Sequence, residues 1–256
     1  MTRTSPSRHL LITGASSGIG AALARHYAAN GWRLSLSGRD ETRLDAIREV
    51  CHQAGAQVTA RALDVTGKNT MAQWIDEADH LQPLDLVIAN AGISGGMSRG
   101  LDADEQLRLI FAVNLDGVLN TTLPAIAAMR RHGRGQIAVM SSLAGYRGMP
   151  GATAYSASKA AVKAYGEGLR GQLAGDGIRV SVICPGFVES RITDANDFTM
   201  PFLMPADRAA GRIARELERN RALIAFPWQM HLGIKLLSVL PSGWGTALMS
   251  RLPAKE

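Results

Sequence analysis

Ser142, Tyr155 and Lys159 are the residues of this chain whose types and spacing suit proton chemistry. Tyr155 and Lys159 belong to Y-S-A-S-K, at the start of a small-residue segment with helical character. A separation of four puts both side chains on one helix face, about one turn apart. An ammonium beside a phenol favours the phenolate and draws its pKa down from about 10. Such a tyrosine can give or take a proton at neutral pH. Ser142 closes the apolar run at 136–142, which has the pattern of a buried strand, and its hydroxyl can hydrogen-bond an oxygen whose charge changes. Y-x-x-x-K by itself describes many surface pairs. Tyr146, with Pro150 four residues on, has no partner lysine. Whether the three residues meet depends on the elements that carry them.

Residues 9–13 form a short apolar run that leads into T-G-A-S-S-G-I-G at 13–20 and a segment with apolar Ile19, Leu23 and Tyr27. This is strand, glycine turn, helix. Gly14 suits the tight turn, Gly18 lets backbone N–H groups reach a pyrophosphate, and Gly20 lets the helix pack close to the sheet. Ser16, Ser17 and Ile19 complete the phosphate-binding turn. Its spacing is G-x-x-x-G-x-G, not the commoner G-x-G-x-x-G. The second strand, 32–37, runs into Gly38 and Arg39. An NAD site commonly has a carboxylate here for the ribose 2′-hydroxyl. Arg39 instead suits a 2′-phosphate, through forked, charge-assisted bonds, so NADP(H) is favoured over NAD(H). Asp40 competes for that role but is better placed to cap a helix over 41–54.

The alternation continues. A third strand at 57–63 ends at Asp64 and Val65; Asp64 suits an adenine amino group or the cap of a helix over 67–80. An apolar strand at 84–89 ends in Asn90-Ala91-Gly92, whose small residues leave room for a cofactor. A glycine-rich loop (93–100) precedes a long helix over 104–131, with a kink expected at Pro124. Asn114 inside it is either a satisfied structural amide or an amide that holds a water in a proton path. A strand at 178–184 leads to Pro185, Gly186, Phe187 and Val188; a helix at 205–219 and a strand at 222–226 follow. The expected fold is α/β, a single doubly wound Rossmann-type domain over 1–256, with a mostly or wholly parallel seven-stranded sheet. Gly18, Asn90, Ser142 and Pro185 all fall at or just beyond strand C-terminal ends, where such sheets bind ligands.

With these motifs in hand, the chain resembles the short-chain dehydrogenase/reductase family. The matching features are T-G-A-S-S-G-I-G, N-A-G at 90–92, Asn114, Ser142, Y-S-A-S-K and P-G at 185–186, in the family's order. The resemblance covers about residues 8–226 and implies an NADP(H)-dependent oxidoreductase acting on a carbonyl or secondary alcohol. It implies Tyr155 as acid or base, Lys159 as the group that lowers the Tyr155 pKa and bonds the nicotinamide ribose, Ser142 on the substrate oxygen and Asn114 as anchor of a water. It also implies Asp64 and Val65 beside adenine, Asn90 by its ribose, and Pro185, Gly186 and Val188 along the nicotinamide. Many relatives have Thr where this chain has Ser190, a departure that keeps a hydroxyl. The implied substrate lid is 189–205, with Phe198, Met200, Phe202, Leu203 and Met204 as apolar contacts for a bulky or lipophilic substrate.

Composition is that of an ordinary globular protein: 256 residues, 46% hydrophobic and 20% charged. The net charge of +6 is scattered, so nucleic acid is not expected as a partner. Two cysteines without a motif suit free thiols in the cytoplasm, and single histidines give no metal site. The start of the chain lacks a signal-type apolar core, and no run reaches the ~18 apolar residues of a membrane span. The tail, 227–256, is a hydrophobic helical segment that packs on the domain or a second subunit, caps the pocket, or touches a membrane through 228–252, with Lys235, Arg251 and Lys255 helping. Membrane contact is the least favoured of these. Small residues on the Tyr155 helix suit a homo-dimer or homo-tetramer. The competing reading is a sensor that binds cofactor without turnover; the complete set Asn114, Ser142, Tyr155 and Lys159 speaks against it. A dehydratase or epimerase with an added substrate domain needs a longer chain.

Overall fold

The structure is a computed structural model that describes residues 7–95, 100–194 and 199–249. Residues 96–99 of the glycine-rich loop, Phe198 of the lid, and Arg251, Leu252 and Lys255 of the tail lie outside the described residues. The elements alternate as the periodicity predicts. They are β1 (His9–Thr13), α1 (Gly18–Ala29), β2 (Arg33–Gly38), α2 (Glu41–Gln53), β3 (Val58–Ala62), α3 (Lys68–Leu81) and β4 (Leu86–Ala89). Then follow α4 (Ala103–Phe111), a π turn (Ala112–Asp116), α5 (Gly117–His132), β5 (Gly135–Met140), a 3-10 turn (Leu143–Tyr146) and α6 (Thr153–Gln172). The remainder is β6 (Ile178–Pro185), α7 (Arg191–Asp194), α8 (Ala206–Glu218), β7 (Leu223–Phe226), α9 (Trp228–Val239) and α10 (Ser242–Met249).

All seven strands are parallel, in the order β3-β2-β1-β4-β5-β6-β7. Chain direction across the sheet reverses between β1 and β4, which opens a crevice at their C-terminal ends. Side chains alternate between the two faces. Leu10, Ile12, Leu34 and Leu36 pack with Leu23, Leu44, Ile213 and Leu217 of α1, α2 and α8. Leu11, Val87, Ile137 and Val182 pack with Trp74, Met129, Val162 and Leu169 of α3, α5 and α6. Both faces are therefore covered, and the strands are near-continuous apolar runs for that reason.

The helix over Ala103–His132 is long and apolar enough to cross a bilayer by length and composition, with mean hydropathy 1.4 in its most apolar window. Half of that window is buried in the fold, where Val113, Val118, Ile126 and Met129 enter the core. Its irregularity is not at Pro124, which sits inside α5. It is the π turn, where Gly117 N–H reaches the Ala112 carbonyl five residues back. A β-carbon on Gly117 would stand 2.6 Å from Val65 Cγ2, so the wide turn meets the end of the β3 loop closely.

Candidate active site

The C-terminal strand ends open on one cavity of about 730 Å3, lined by residues of the glycine turn, Arg39, Asp64, Asn90, Ser142, Tyr155, Lys159, Pro185 and α9. Its size is that of a small-molecule site. Tyr155 and Lys159 sit in the first two turns of α6. Lys159 is 3% exposed, and its ammonium donates to the carbonyl of Met140, the last residue of β5, at 2.9 Å. Ser142 follows that strand. Its hydroxyl accepts from Ala144 N–H at 3.1 Å and donates to the Pro185 carbonyl at 3.4 Å, which ties the ends of β5 and β6 together.

The expected lowering of the Tyr155 pKa is not found. Burial raises the phenol above its ordinary value, with the hydrogen bond from Ser142 acting against the rise. Burial also brings Lys159 down to about 8. The physical reason is that removal from water disfavours both charged forms, and the ammonium is turned to a carbonyl, 5.8 Å from the centre of the Tyr155 ring. Cys184, buried beside them, is raised to about 11 by the same desolvation.

Asn114 is fully buried in the π turn, and its side chain is hydrogen-bonded on both sides. Its Oδ1 accepts from Ile93 N–H at 2.8 Å, and its Nδ2 donates to Ile93 O at 2.9 Å and Ser158 Oγ at 3.0 Å. Both amide protons are committed, so the amide clamps the segment after β4. The clamp still shapes the site. A β-carbon on Gly92 would stand 3.1 Å from Lys159 Nζ and 3.2 Å from Asn114 Oδ1, so only glycine leaves that space open.

The other end of the cavity is built to hold phosphates. Gly14 has φ of 67° and Gly18 of 52°, both in the region that favours glycine. A β-carbon on Gly20 would meet Gly14 O at 2.3 Å. Asn90 lines the cavity, and its Nδ2 donates to the carbonyls of Thr13 and Gly14 at 3.0 and 3.1 Å and braces the turn. Ser16, Ser17, Gly18 and Ile19 line the cavity where α1 begins, with free helix N–H groups suited to an anion. Asp40 caps α2, as expected, by accepting from Arg43 N–H at 2.9 Å, and this bond first of all holds its carboxyl below the usual range. Arg39 is exposed on the cavity, with no ion-pair partner among the described residues.

Arg43 was not singled out by its sequence context. It lies on the first turn of α2, lines the cavity beside Arg39, and has a buried Nε without a hydrogen-bond partner among the described residues. Its spacing, on the first turn of the helix that begins just after Arg39, was the available signal. Its Nη2 is paired with the Asp40 carboxylate at 2.8 Å. Asp64 lines the cavity, but its carboxylate is held locally by Thr66, at 2.9 Å from N–H and 2.8 Å from the hydroxyl. Ala91, Gly92, Val65, Gly186 and Val188 all line the cavity as well.

The lid and tail differ from expectation. Ser190, Arg191, Ile192, Thr193, Thr199 and Pro201 of the lid line the cavity. Met204 instead is buried against Val188, with which it forms an isolated bridge, and Phe202 and Leu203 are exposed. Met200 is not among the cavity's lining residues. The tail adds a second apolar wall: Met230, Gly233, Ile234 and Leu237 of α9 line the cavity. Polar links fix α9 there. The Tyr146 hydroxyl lies 3.0 Å from His231 Nε2, and Arg147 donates to the Leu237 carbonyl at 2.7 Å. The tail helix is thus a wall of the pocket, one of the three arrangements the sequence allows.

Comparison with known proteins agrees with this geometry. Residues 8–199 match the family model of the short chain dehydrogenases. An uncharacterized oxidoreductase of Myxococcus xanthus is 39% identical over 246 residues, covering 96% of this chain and 97% of its own. A 3-dehydrosphinganine reductase of Arabidopsis thaliana is 36% identical over 182 residues, 70% of this chain and 54% of that protein. A crystal structure of a short chain dehydrogenase/reductase from Burkholderia phymatum in complex with NAD superposes with a TM-score of 0.80 at 25% identity, covering 98% of this chain and 97% of that one. The glycine turn, the Ser142–Tyr155–Lys159 group and these likenesses together make the chain a member of the short-chain dehydrogenase/reductase family, an NAD(P)-dependent dehydrogenase or reductase.

Proposed function

We propose that the protein interconverts a bulky, apolar ketone and its secondary alcohol with NADP(H), using Tyr155 as the proton donor or acceptor. The observation that carries this reading is the convergence of Ser142, Tyr155 and Lys159 on the same cavity as the glycine turn and Arg39. Ser142 Oγ, held by the Ala144 N–H, turns its one proton from the Pro185 carbonyl, 3.4 Å away, to the substrate oxygen and so orients it. Tyr155, kept protonated by burial, donates to that oxygen during reduction. Lys159 stands behind it as a cation that limits the charge left on the phenolate. When bound, the nicotinamide supplies or accepts the hydride.

Arg39 and Arg43 support NADP(H), because both line the end of the cavity near α2, Arg39 without an ion-pair partner among the described residues and Arg43 paired with Asp40 at 2.8 Å. The α9 side chains Met230, Ile234 and Leu237 support an apolar substrate, and the adaptable thioether suits a bulky one. The name of the Arabidopsis relative agrees with a lipophilic ketone. Ala157, Ala160, Ala164 and Gly168 are exposed along α6, which is consistent with close packing against a second copy in a dimer or tetramer. Two buried free thiols agree with the cytoplasm.

The test is NADPH consumption by purified protein against ketones of rising size and lipophilicity, with NADH in parallel. NADPH-dependent turnover that rises with lipophilicity is expected. Turnover with NADH alone would remove the role given to Arg39. Cofactor binding without turnover across the panel would favour a sensor.

A further inference from the structure

We propose that the outward face of α9 and α10 docks on an anionic lipid surface. The helix α9 carries two apolar stripes. Met230, Ile234 and Leu237 face the cavity. Trp228, Leu232, Leu236 and Val239, at intervals of four, four and three, form the other stripe and are exposed, Trp228 at 63% and Val239 at 79%. Trp244 on α10, the next helix of the chain, is exposed at 75%. A helix apolar on opposite sides needs cover on both, and the fold covers only one. An exposed patch of this kind marks an interaction surface.

Charge selects the occupant. Between Glu218 and Glu256 the chain has no acidic residue. Lys235 is exposed on α9, and the Arg147 guanidinium holds the carbonyls at the helix end. Lys163, beside Tyr146, is already paired with Glu167 at 2.7 Å. A second copy laid on this face about a two-fold axis would oppose Lys235 and Arg147 with their own duplicates and bring no acid from α9 or α10. An anionic bilayer supplies the opposite charge, and exposed tryptophans suit its interface.

The patch also adjoins the pocket. Phe202 and Leu203, exposed, follow the cavity-lining Pro201, so apolar surface flanks the cavity on a second element. Phe202 holds φ of 57°, a region that bulky residues rarely occupy, while over half of it stays exposed. Uptake of substrate directly from the bilayer would follow from the substrate class proposed above; the docking itself does not depend on that reading.

The intact protein is mixed with vesicles of phosphatidylcholine, or of phosphatidylcholine with phosphatidylglycerol, and followed by flotation and tryptophan emission. Trp32 and Trp74 are buried, so a blue shift reports Trp228 and Trp244. Flotation and a blue shift with the anionic vesicles are expected, weakening as salt screens the charges. The double variant Leu236→Ser, Val239→Ser should lose about tenfold in partition while NADPH binding is retained. Lys235→Glu, a surface change that leaves the apolar stripe intact, should lose the preference for anionic vesicles. Wild-type protein that stays unbound with both vesicle types overturns the proposal. So does a dimer that the double variant dissociates, since a second copy would then be the cover.

Discussion

The Lys159 ammonium donates to the Met140 carbonyl at 2.9 Å while standing 5.8 Å from the centre of the Tyr155 ring. The lysine is therefore held by the end of β5, not by the phenol. Removing the Tyr155 hydroxyl should leave this anchor intact. Tyr155→Phe is expected to lower turnover by about 10²–10⁴-fold, the usual worth of a positioned proton donor, with NADPH affinity changed little. Titration of cofactor fluorescence beside steady-state rates separates the two; a Tyr155→Phe protein with normal turnover would move the proton chemistry elsewhere.

Burial lowers Lys159 from 10.5 to about 8, and this has a sign for stability. Between those values the unfolded chain binds more protons than the folded one, so stability rises with pH across that window. Below pH 8 the buried ammonium costs the fold on the order of 3 kcal/mol. Lys159→Met should accordingly raise the melting temperature by a few degrees at pH 7 while abolishing turnover, and the advantage should shrink as pH approaches 10. Thermal scans at both pH values check it; an unstable variant at pH 7 would mean that the bond to Met140 outweighs the desolvation.

Much of this could be read from residue order because each signal was local. Apolar strands such as 84–89, the glycine spacing at 14–20 and the Asp40 cap each depend on neighbours in sequence. What could not be read depends on residues far apart. The Asn114 amide is taken up by Ile93 and Ser158, 21 and 44 positions away. The Tyr155 pKa depends on burial by surrounding elements, and burial opposes what the Y-x-x-x-K spacing suggests. Arg43 shows the intermediate case, since its spacing was visible but its unpartnered Nε was not.

That clamp predicts a mutational cost. Asn114→Ala strands the Ile93 N–H and carbonyl in a buried site, at about 1–3 kcal/mol for each group left without a partner. Urea unfolding should show a loss of several kcal/mol, and Lys159 should become easier to reach by amine-directed labelling. An unchanged midpoint would show that water replaces the amide at no cost.

Arg39 and Arg43 should act together on cofactor choice. Each charge-assisted bond is worth about 1.5–3 kcal/mol, so Arg39→Ala or Arg43→Leu is expected to weaken NADPH binding by about 10–100-fold and leave NADH nearly unaffected. Calorimetric titration with both cofactors reads this directly. Equal weakening of the two would place the arginines on the adenine or the pyrophosphate instead.

Gly233 offers a test of the α9 wall that leaves the chemistry alone. It lines the cavity, and a β-carbon there meets no atom within 4 Å. Gly233→Leu should therefore fill space without displacing protein atoms, and should gain about 1 kcal/mol of helix propensity. For a long-chain ketone the variant is expected to raise KM at least about tenfold, the worth of a lost or blocked apolar contact surface. For a short ketone kcat and KM should stay near wild type, because Ser142, Tyr155 and Lys159 are untouched. If long and short ketones respond alike, α9 is not the substrate wall, and selectivity must come from lid residues such as Ile192 and Pro201.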